Sequence, residues 1–196
     1  MLEVKDATIA VGERTLATGL SFIAQDGQLT CITGSEGSGK TTLIRTLMGF
    51  LPVNEGFVSV DGELLTVRSA HAFRSMMVYL PQQMQELRNH LYPDACLHSY
   101  DVEEYGVWNA LMPSAAEEQP SEPLSPEEIF QLAQKTLDGA KDKPIVIADE
   151  PAALLSPELS LQMLQLLRRQ ADAGKTVLIA SRKQQLVAYA DQVINL

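Results

Sequence analysis

Short apolar runs alternate along the chain with longer amphipathic segments. The runs Leu29–Thr33, Met76–Leu80, Pro144–Asp149 and Thr176–Ala180 are five or six residues long and mostly apolar, as buried β-strands are. Pro157–Ala173 instead places its leucines at helical spacing, so it predicts an amphipathic helix. Strands that alternate with helices predict an α/β fold with a mostly parallel central sheet.

The first 65 residues predict further strands. Leu2–Val11 is apolar or alternating, Gly12-Glu13 is a turn, and Leu20–Ala24 is a second strand. Gly56–Leu65 is typical of a hairpin, because Asp61-Gly62 suits a tight turn between two strands.

The second half of the chain predicts two more helices and a last strand. A helix is expected from Ser125 to about Leu137, since a serine cap, a proline at the first position and a glutamate three residues after the cap favour a helix start. Lys183–Ala190 predicts a short helix, and Gln192–Leu196 predicts the final strand.

The region between these halves has a weaker pattern. Residues 84 to 113 are mixed and predict helix only in part, and residues 114 to 123 are acidic and proline-rich, which predicts an exposed loop. The chain contains no internal repeat, and its 196 residues suffice for one domain.

The composition narrows the classes of function. A net charge of −10 argues against a nucleic-acid partner, which requires a basic surface. No apolar run approaches the roughly 20 residues that span a bilayer, and the acidic first residues do not resemble a signal peptide. Two cysteines do not form a disulfide framework. We therefore expect a cytoplasmic setting.

The segment from Gly34 to Thr41 matches the phosphate-binding pattern G-x-x-x-x-G-K-[ST]. Glycines let the backbone curl around phosphates, the lysine supplies positive charge, and the threonine hydroxyl is a metal ligand. An apolar strand precedes the loop, and the helical segment 42–49 directs its positive end at the anion. The sequence therefore predicts a site for a nucleoside triphosphate with magnesium. The candidate binding residues are Gly34, Ser35, Glu36, Gly37, Ser38, Gly39, Lys40, Thr41 and Thr42.

Two adjacent acids supply the second half of this predicted site. Asp149 stands where an apolar strand ends, which suits an acid that holds the metal. Glu150 follows it and is the candidate base that orients the attacking water. Two neighbouring carboxylates at a strand end repel each other, and a nearby cation offsets the free-energy cost of that repulsion. Acids on a solvated loop are the alternative interpretation.

Three motifs together resemble the nucleotide-binding subunit of an ABC transporter. They are Gly34–Thr41, Leu80-Pro81-Gln82 and Ile147–Pro151, and the resemblance covers essentially the whole chain. It implies a P-loop ABC cassette with a mostly parallel core sheet, an N-terminal antiparallel β subdomain and a reduced helical subdomain over residues 83–124.

The resemblance also implies roles for single residues. Gln82 would meet the magnesium and the attacking water, and Gln83 next to it is the alternative if the register differs by one. Thr41 and Asp149 would hold Mg²⁺, Glu150 would polarise the water, and ATP would be the nucleotide.

The resemblance implies partners and a location as well. Such subunits work as dimers that enclose two ATP molecules, so a homodimer or a heterodimer with a sister subunit is expected. A separate integral-membrane permease would place the chain at the inner face of the cell membrane.

The signature motif departs from the family. Each ATP of the dimer meets a Leu-Ser-Gly-Gly-Gln sequence of the other chain, and the matching stretch here is Leu124-Ser125-Pro126-Glu127-Glu128. Proline lacks an N–H group and two glutamates add negative charge, so this stretch should hold a partner's ATP poorly. We therefore expect a homodimer to hydrolyse ATP slowly. A partner with an intact signature could complete this chain's own ATP site.

Three further positions differ from the family pattern. Val11 stands near the place of an aromatic residue that stacks on adenine, and Ser156 replaces an aspartate that crosses the dimer. Arg182 replaces a histidine that contacts the γ-phosphate. An arginine could still hold that phosphate, because its planar fork suits phosphate oxygens. A surface cation near the following helix is the alternative.

The stretch between Gln82 and Leu124 would receive the permease. It contains Trp108, Tyr92, Tyr100 and Tyr105, and aromatic residues suit either a docking surface or the small core of this subdomain.

Two other functions remain open from the sequence. The chain could be a non-catalytic module that binds ATP to control a partner, which the altered signature favours and the Asp149-Glu150 pair opposes. ABC proteins of DNA repair or translation fit less well, because they carry tandem cassettes or long insertions and this chain has one acidic cassette.

Overall fold

The chain forms two β-sheets with helices between and outside them. The computed structural model describes residues 1–12, 14–84 and 123–196. The strands are β1 (Leu2–Val11), β2 (Arg14–Ala24), β3 (Leu29–Thr33), β4 (Glu55–Val60), β5 (Glu63–Leu64), β6 (Met77–Leu80), β7 (Ile145–Asp149), β8 (Thr176–Ala180) and β9 (Gln192–Asn195). The helices are α1 (Lys40–Leu47), α2 (Ala70–Ser75), α3 (Pro126–Gly139), α4 (Pro157–Asp172) and α5 (Gln184–Tyr189).

The larger sheet has five parallel strands in the order β6-β7-β8-β3-β9. Every residue of β7 and β8 is buried, which confirms the prediction of buried strands from their apolar runs. Because parallel strands end at the same edge, the segments after β3, β6, β7 and β8 meet there. These are the segments that carry the predicted phosphate loop, Gln82, Glu150 and Arg182.

The smaller sheet is antiparallel, with the order β2-β1-β4-β5. Its β4–β5 turn contains Asp61 and Gly62, whose φ angles of +51° and +83° are typical of a tight hairpin turn. The predicted hairpin is therefore confirmed. Together the two sheets give the α/β fold with a separate antiparallel part that the sequence predicts.

Two buried apolar clusters lie on opposite faces of the parallel sheet. The first joins α1 and the antiparallel sheet to one face, and its members include Leu43, Leu47 and Ile147. The second packs α3 and α4 against the other face through residues such as Leu137 and Leu164. The helix that follows the phosphate loop is thus enclosed between the two sheets.

Two elements differ from the prediction. β2 begins at Arg14 rather than Leu20, because its pairing with β1 continues to the pair Val11–Arg14. Residue 13 of the predicted turn lies outside the described residues. Helix α2 has no counterpart in the prediction. Nearly all of the predicted subdomain over residues 83–124 also lies outside the described residues and stays a prediction.

Candidate nucleotide-binding site

An open cleft of about 390 Å³ lies where the ends of the parallel strands meet the tip of the antiparallel sheet. It brings together residues that are separated by up to 171 positions along the chain. Its described lining residues are Val11, Arg14, Leu16, Glu36, Gly37, Gly39, Lys40, Thr41, Thr42, Gln82, Glu150 and Arg182.

The backbone of the phosphate loop requires glycine at two of its positions. Gly34 has φ +156°, and a Cβ atom there would lie 2.6 Å from both the carbonyl oxygen of Leu196 and the Ser38 hydroxyl oxygen. Gly39 has φ +104°, and its Cβ would lie 3.0 Å from the Leu16 side chain. The loop therefore packs tightly against its protein neighbours at these two points.

Lys40 lies across the loop it follows. Its side chain is largely buried, and Nζ donates to the carbonyl oxygens of Gly34, at 3.0 Å, and Ser35, at 2.9 Å. These contacts hold a positive charge at the loop, where a phosphate chain would need it.

The first turn of α1 is open to an anion. Its cap residue Gly39 offers no side-chain hydrogen bond, and the turn contains no acid. The first N–H groups of the helix therefore keep their capacity to bind an anion, and the helix dipole adds to the attraction. Thr41 and Thr42 line the cleft from this same turn.

Asp149 ends β7 inside the protein and is 1% exposed. Among the described residues, neither carboxylate oxygen has a hydrogen-bond partner of normal geometry, although the Thr41 hydroxyl lies nearby. Burial raises the pKa of this carboxyl and Glu150 adds to the rise, whereas Thr41, Arg45 and Lys40 oppose it. A buried, unpartnered carboxylate beside a threonine hydroxyl is a suitable donor set for Mg²⁺, which prefers oxygen ligands.

Glu150 reaches the cleft from an unusual backbone conformation. Its φ angle is +46°, in the left-handed region that residues other than glycine seldom adopt, and its N–H donates to the carbonyl oxygen of Ala180 at 2.8 Å. The side chain is only 8% exposed. The end of β8 therefore fixes the direction in which this carboxylate points.

Arg182 connects two carboxylates across the cleft. Its Nε lies 3.3 Å from Oε1 of Glu150, and its backbone N–H donates to Oε2 of the same residue at 3.4 Å. Its Nη1 lies 3.0 Å from Oε2 of Glu36 in the phosphate loop. Arg182 thus lies in the cleft that the phosphate loop lines, and both interpretations of its role stay predictions.

Gln82 lines the cleft directly after β6, whereas the exposed Gln83 is not among the lining residues. Sequence reasoning missed Arg14 and Leu16, which also line the cleft. These two residues reach the cleft only because β2 extends back to the hairpin turn, and the sequence pattern indicates that extension weakly.

At the signature position, residues of the stretch itself form hydrogen bonds that cap the start of α3. Ser125 caps α3 by accepting from the Glu128 N–H at 3.3 Å, and the Ser125 N–H donates to the Glu128 carboxylate at 2.8 Å. This confirms the capping signals in the sequence. Ser156 likewise caps α4 by accepting from the Leu159 N–H at 3.3 Å.

The fold and the cleft define the class of the protein. A strand, a phosphate loop and an uncapped helix start stand beside a buried acid at the end of a neighbouring parallel strand. This arrangement defines a P-loop protein that binds nucleoside triphosphates.

Comparison with known sequences identifies the family. The family model described as ABC transporter matches residues 17–153, and the chain belongs to this family. The chain is 27% identical to the ABC transporter ATP-binding/permease protein Rv1747 of Mycobacterium tuberculosis, over 100% of this chain and 24% of that protein. It is 30% identical to the energy-coupling factor transporter ATP-binding protein EcfA2 of Leuconostoc mesenteroides, over 86% of this chain and 65% of that protein.

Solved structures show the same fold. A dimeric ATP-binding cassette in a post-hydrolysis state, bound to ADP and Pi, superimposes with a TM-score of 0.73 at 22% identity and covers 100% of this chain and 94% of that one. The chain spans about a quarter to two fifths of the length of the first curated relatives it matches. Among the described residues, no helix combines the length and apolar character needed to cross a membrane.

Proposed function

We propose that this chain binds and hydrolyses ATP within an ABC transport complex, and that its closure with a second cassette drives a separate membrane permease. The observation that carries the proposal is the buried Asp149 carboxylate, which has no hydrogen-bond partner of normal geometry among the described residues and lies near Thr41 and Lys40. A cation would offset the burial of this carboxylate, and a magnesium nucleotide supplies one.

Each group in the cleft has a role that its position supports. Lys40 and the N–H groups of α1 hold the phosphate chain, and Arg182 adds a planar cation at the end nearest Glu150. Thr41 and Asp149 hold Mg²⁺, which would neutralise charge on the phosphates when bound.

Two residues orient the attacking water. Glu150 accepts a hydrogen bond from it, and Gln82 faces it from the end of β6. The fixed backbone of Glu150 keeps its carboxylate aimed at the cleft, so little reorganisation is needed when water binds. Arg182 holds the same carboxylate by two hydrogen bonds.

We expect a heterodimer to be more active than a homodimer. In this chain Ser125 and Glu128 form hydrogen bonds with each other that cap α3. The start of this helix would therefore bind a partner's phosphate weakly. A sister subunit with an intact signature would complete this chain's own ATP site. Two relatives are named as ATP-binding proteins, one of an energy-coupling factor transporter and one of hemin import. These names support a permease partner at the membrane.

Two substitutions test the proposal. Lys40→Ala should weaken ATP binding at least tenfold in calorimetry, because the loop loses its buried cation. Glu150→Gln should retain ATP binding while ATP hydrolysis by the assembled complex falls about a hundredfold. Lys141→Ala is the matched control, since Lys141 is exposed and lies away from the cleft. Unchanged hydrolysis in the Glu150→Gln complex would show that the catalytic assignment is wrong.

A second candidate function is a module that binds ATP without turning it over. The self-capped start of α3 favours it, because hydrolysis in this family's dimers requires a phosphate contact from that element. The two candidates differ in one measurement. Phosphate release by the chain together with its partner supports the enzyme, and tight ATP binding without phosphate release supports the module.

A further inference from the structure

One end of the nucleotide cleft is formed by the tip of the β1–β2 hairpin. Val11, Arg14 and Leu16 line the cleft there, and Leu16 adjoins Gly39 of the phosphate loop. Because Lys40 and the open helix start mark the phosphate end, the hairpin end is where the sugar and base of a nucleotide would extend.

The pairing of the hairpin strands places these side chains together. Val11 and Arg14 are directly opposite each other in the β1–β2 register, so their side chains lie on the same face. A register shift between the pairs Ile9–Ala17 and Ala10–Thr15 leaves Leu16 as the extra residue of a bulge. Bulges redirect side chains, and this one directs Leu16 into the cleft.

Leu16 fixes the hairpin tip against the phosphate loop. Its side chain lies 3.0 Å from the point that a Cβ of Gly39 would occupy, so the two segments are in van der Waals contact. Arg14 stands two residues further along the strand, about 7 Å away at the usual rise. That separation leaves room for a sugar between the phosphates and a group held by Arg14.

The chemistry of this end differs from that of an aromatic base pocket. None of the described lining residues is aromatic. Arg14 is exposed and makes no hydrogen bond or ion pair with any described residue, in contrast to Arg182, which is engaged by two carboxylates. No described residue therefore competes for its planar guanidinium, and such a plane stacks on the faces of nucleobases.

We propose that Arg14 is the base platform of this cleft and lets it accept different purine bases. The inference rests on the proposed function, since it assigns the base end of the same site. Val11 and Leu16 would cover one edge of the base with apolar surface, and the guanidinium would stack on its face. Stacking depends little on the identity of the base, so ATP and GTP should bind with affinities within about tenfold of each other.

The test compares three ligands on the full chain. Dissociation constants for ATP, GTP and inorganic tripolyphosphate, each with Mg²⁺, are measured for the unchanged chain and for Arg14→Ala, Arg14→Lys and Arg14→Tyr. Arg14→Ala should weaken ATP and GTP by about tenfold and leave tripolyphosphate within twofold, because a stacked base contributes binding that the phosphates do not. Arg14→Tyr should restore ATP binding, and Arg14→Lys should not, because lysine has charge but no plane.

Two outcomes would overturn the inference. An equal loss of ATP and tripolyphosphate binding in Arg14→Ala would make Arg14 a phosphate cation, and unchanged ATP binding would place the base elsewhere. Arg68→Ala is the control, since Arg68 is exposed and lies outside the cleft. If the unchanged chain binds neither ATP nor tripolyphosphate, the proposed function itself fails, and the inference fails with it.

Discussion

At the scale of single residues, burial of the Asp149 carboxylate lowers the free energy of unfolding of the protein. Its carboxylate is buried and its oxygens have no hydrogen-bond partner of normal geometry among the described residues, an arrangement that destabilises the nucleotide-free fold by about 1–3 kcal/mol. The raised pKa of this carboxyl has the same cause. At neutral pH, binding of a cation would recover this free energy.

This predicts that Asp149→Asn stabilises the nucleotide-free protein. At neutral pH the variant should melt about 3 °C higher, because it removes a buried charge. Since burial raises the folded-state pKa, the natural carboxyl becomes neutral as the pH falls through that pKa, and the difference between the two proteins should then shrink. Calorimetry at neutral and acidic pH measures both values.

The exposed Asp142→Asn is the control for this experiment. Added Mg²⁺ and ATP should raise the melting temperature of the natural protein and not that of Asp149→Asn. A variant that melts lower than the natural protein at neutral pH would contradict the prediction.

Single residues of the site were predictable where a local motif carries them. The phosphate loop and Asp149 fall in short patterns whose spacing reflects one turn or one strand end. The pairing of Arg182 with Glu36 joins residues 146 positions apart, and no local pattern encodes it. Arg14 was missed for a similar reason, since its place in the cleft depends on where the hairpin tip packs.

At the scale of elements, Asp191 connects three segments at the opposite edge of the sheet from the cleft. Its Oδ2 accepts from the backbone N–H of Leu29 at 2.8 Å and lies 2.7 Å from Nη1 of Arg168 on α4. The Leu29 N–H and the guanidinium lower the pKa of this carboxyl. The start of β3, α4 and the approach to β9 are thereby held together.

Asp191→Ala should lower the melting temperature by about 3 °C at pH 7, because the Leu29 N–H and Arg168 both lose their acceptor. A lowered pKa contributes stability above the unfolded-state value, and that stability is lost as the pH falls through the folded-state pKa. The difference between variant and natural protein should therefore diminish below about pH 4. Thermal denaturation across that range measures the difference in melting temperature. A difference that does not change with pH would show that ionisation of Asp191 does not stabilise the fold.

The elements differ in how well their own residues specify them. Helix α3 carries complete start signals, and the capping box forms as they predict. Helix α2 has six residues and no side-chain cap at Ser69, so its sequence gives no comparable sign. It is stabilised by the burial of Phe73 and by two contacts of Arg74. Nη1 of Arg74 donates to the carbonyl oxygen of Met48 at 3.3 Å beyond α1, and its guanidinium lies 4.8 Å from the centre of the Phe50 ring. Such an element depends on tertiary contacts rather than on local pattern.

At the scale of the whole molecule, the α/β architecture and the family were predictable because several motifs occur in a fixed order along the chain. The assembly is less determined, because the proposed contact with a partner's nucleotide depends on the surface at the start of α3. That surface carries a capping box and two glutamates in the first turn.

Restoring this surface should restore turnover. The triple variant Pro126→Gly, Glu127→Gly, Glu128→Gln gives position 126 an N–H group and removes the negative charges of two glutamates from the helix start, so ATP hydrolysis by the chain alone should rise at least tenfold. Light scattering with ATP should detect more dimer when Glu150→Gln is added to block turnover. Adding Ser125→Ala to the triple variant is the control and should cancel the gain. Hydrolysis that stays unchanged in the triple variant would show that the signature does not limit this protein.

The contact between Gly34 and Leu196 has a consequence for how the protein is made. The phosphate loop lies directly against the residue that follows β9, and the Leu196 N–H donates to the carbonyl oxygen of Thr33 at 2.9 Å. During synthesis, residues 33 and 34 leave the ribosome roughly 10 to 30 s before residue 196 at ordinary elongation rates. The loop therefore gains its final packing only after the last strand has docked beside β3. Until β9 has docked, a nascent chain would carry the whole motif without a finished nucleotide site.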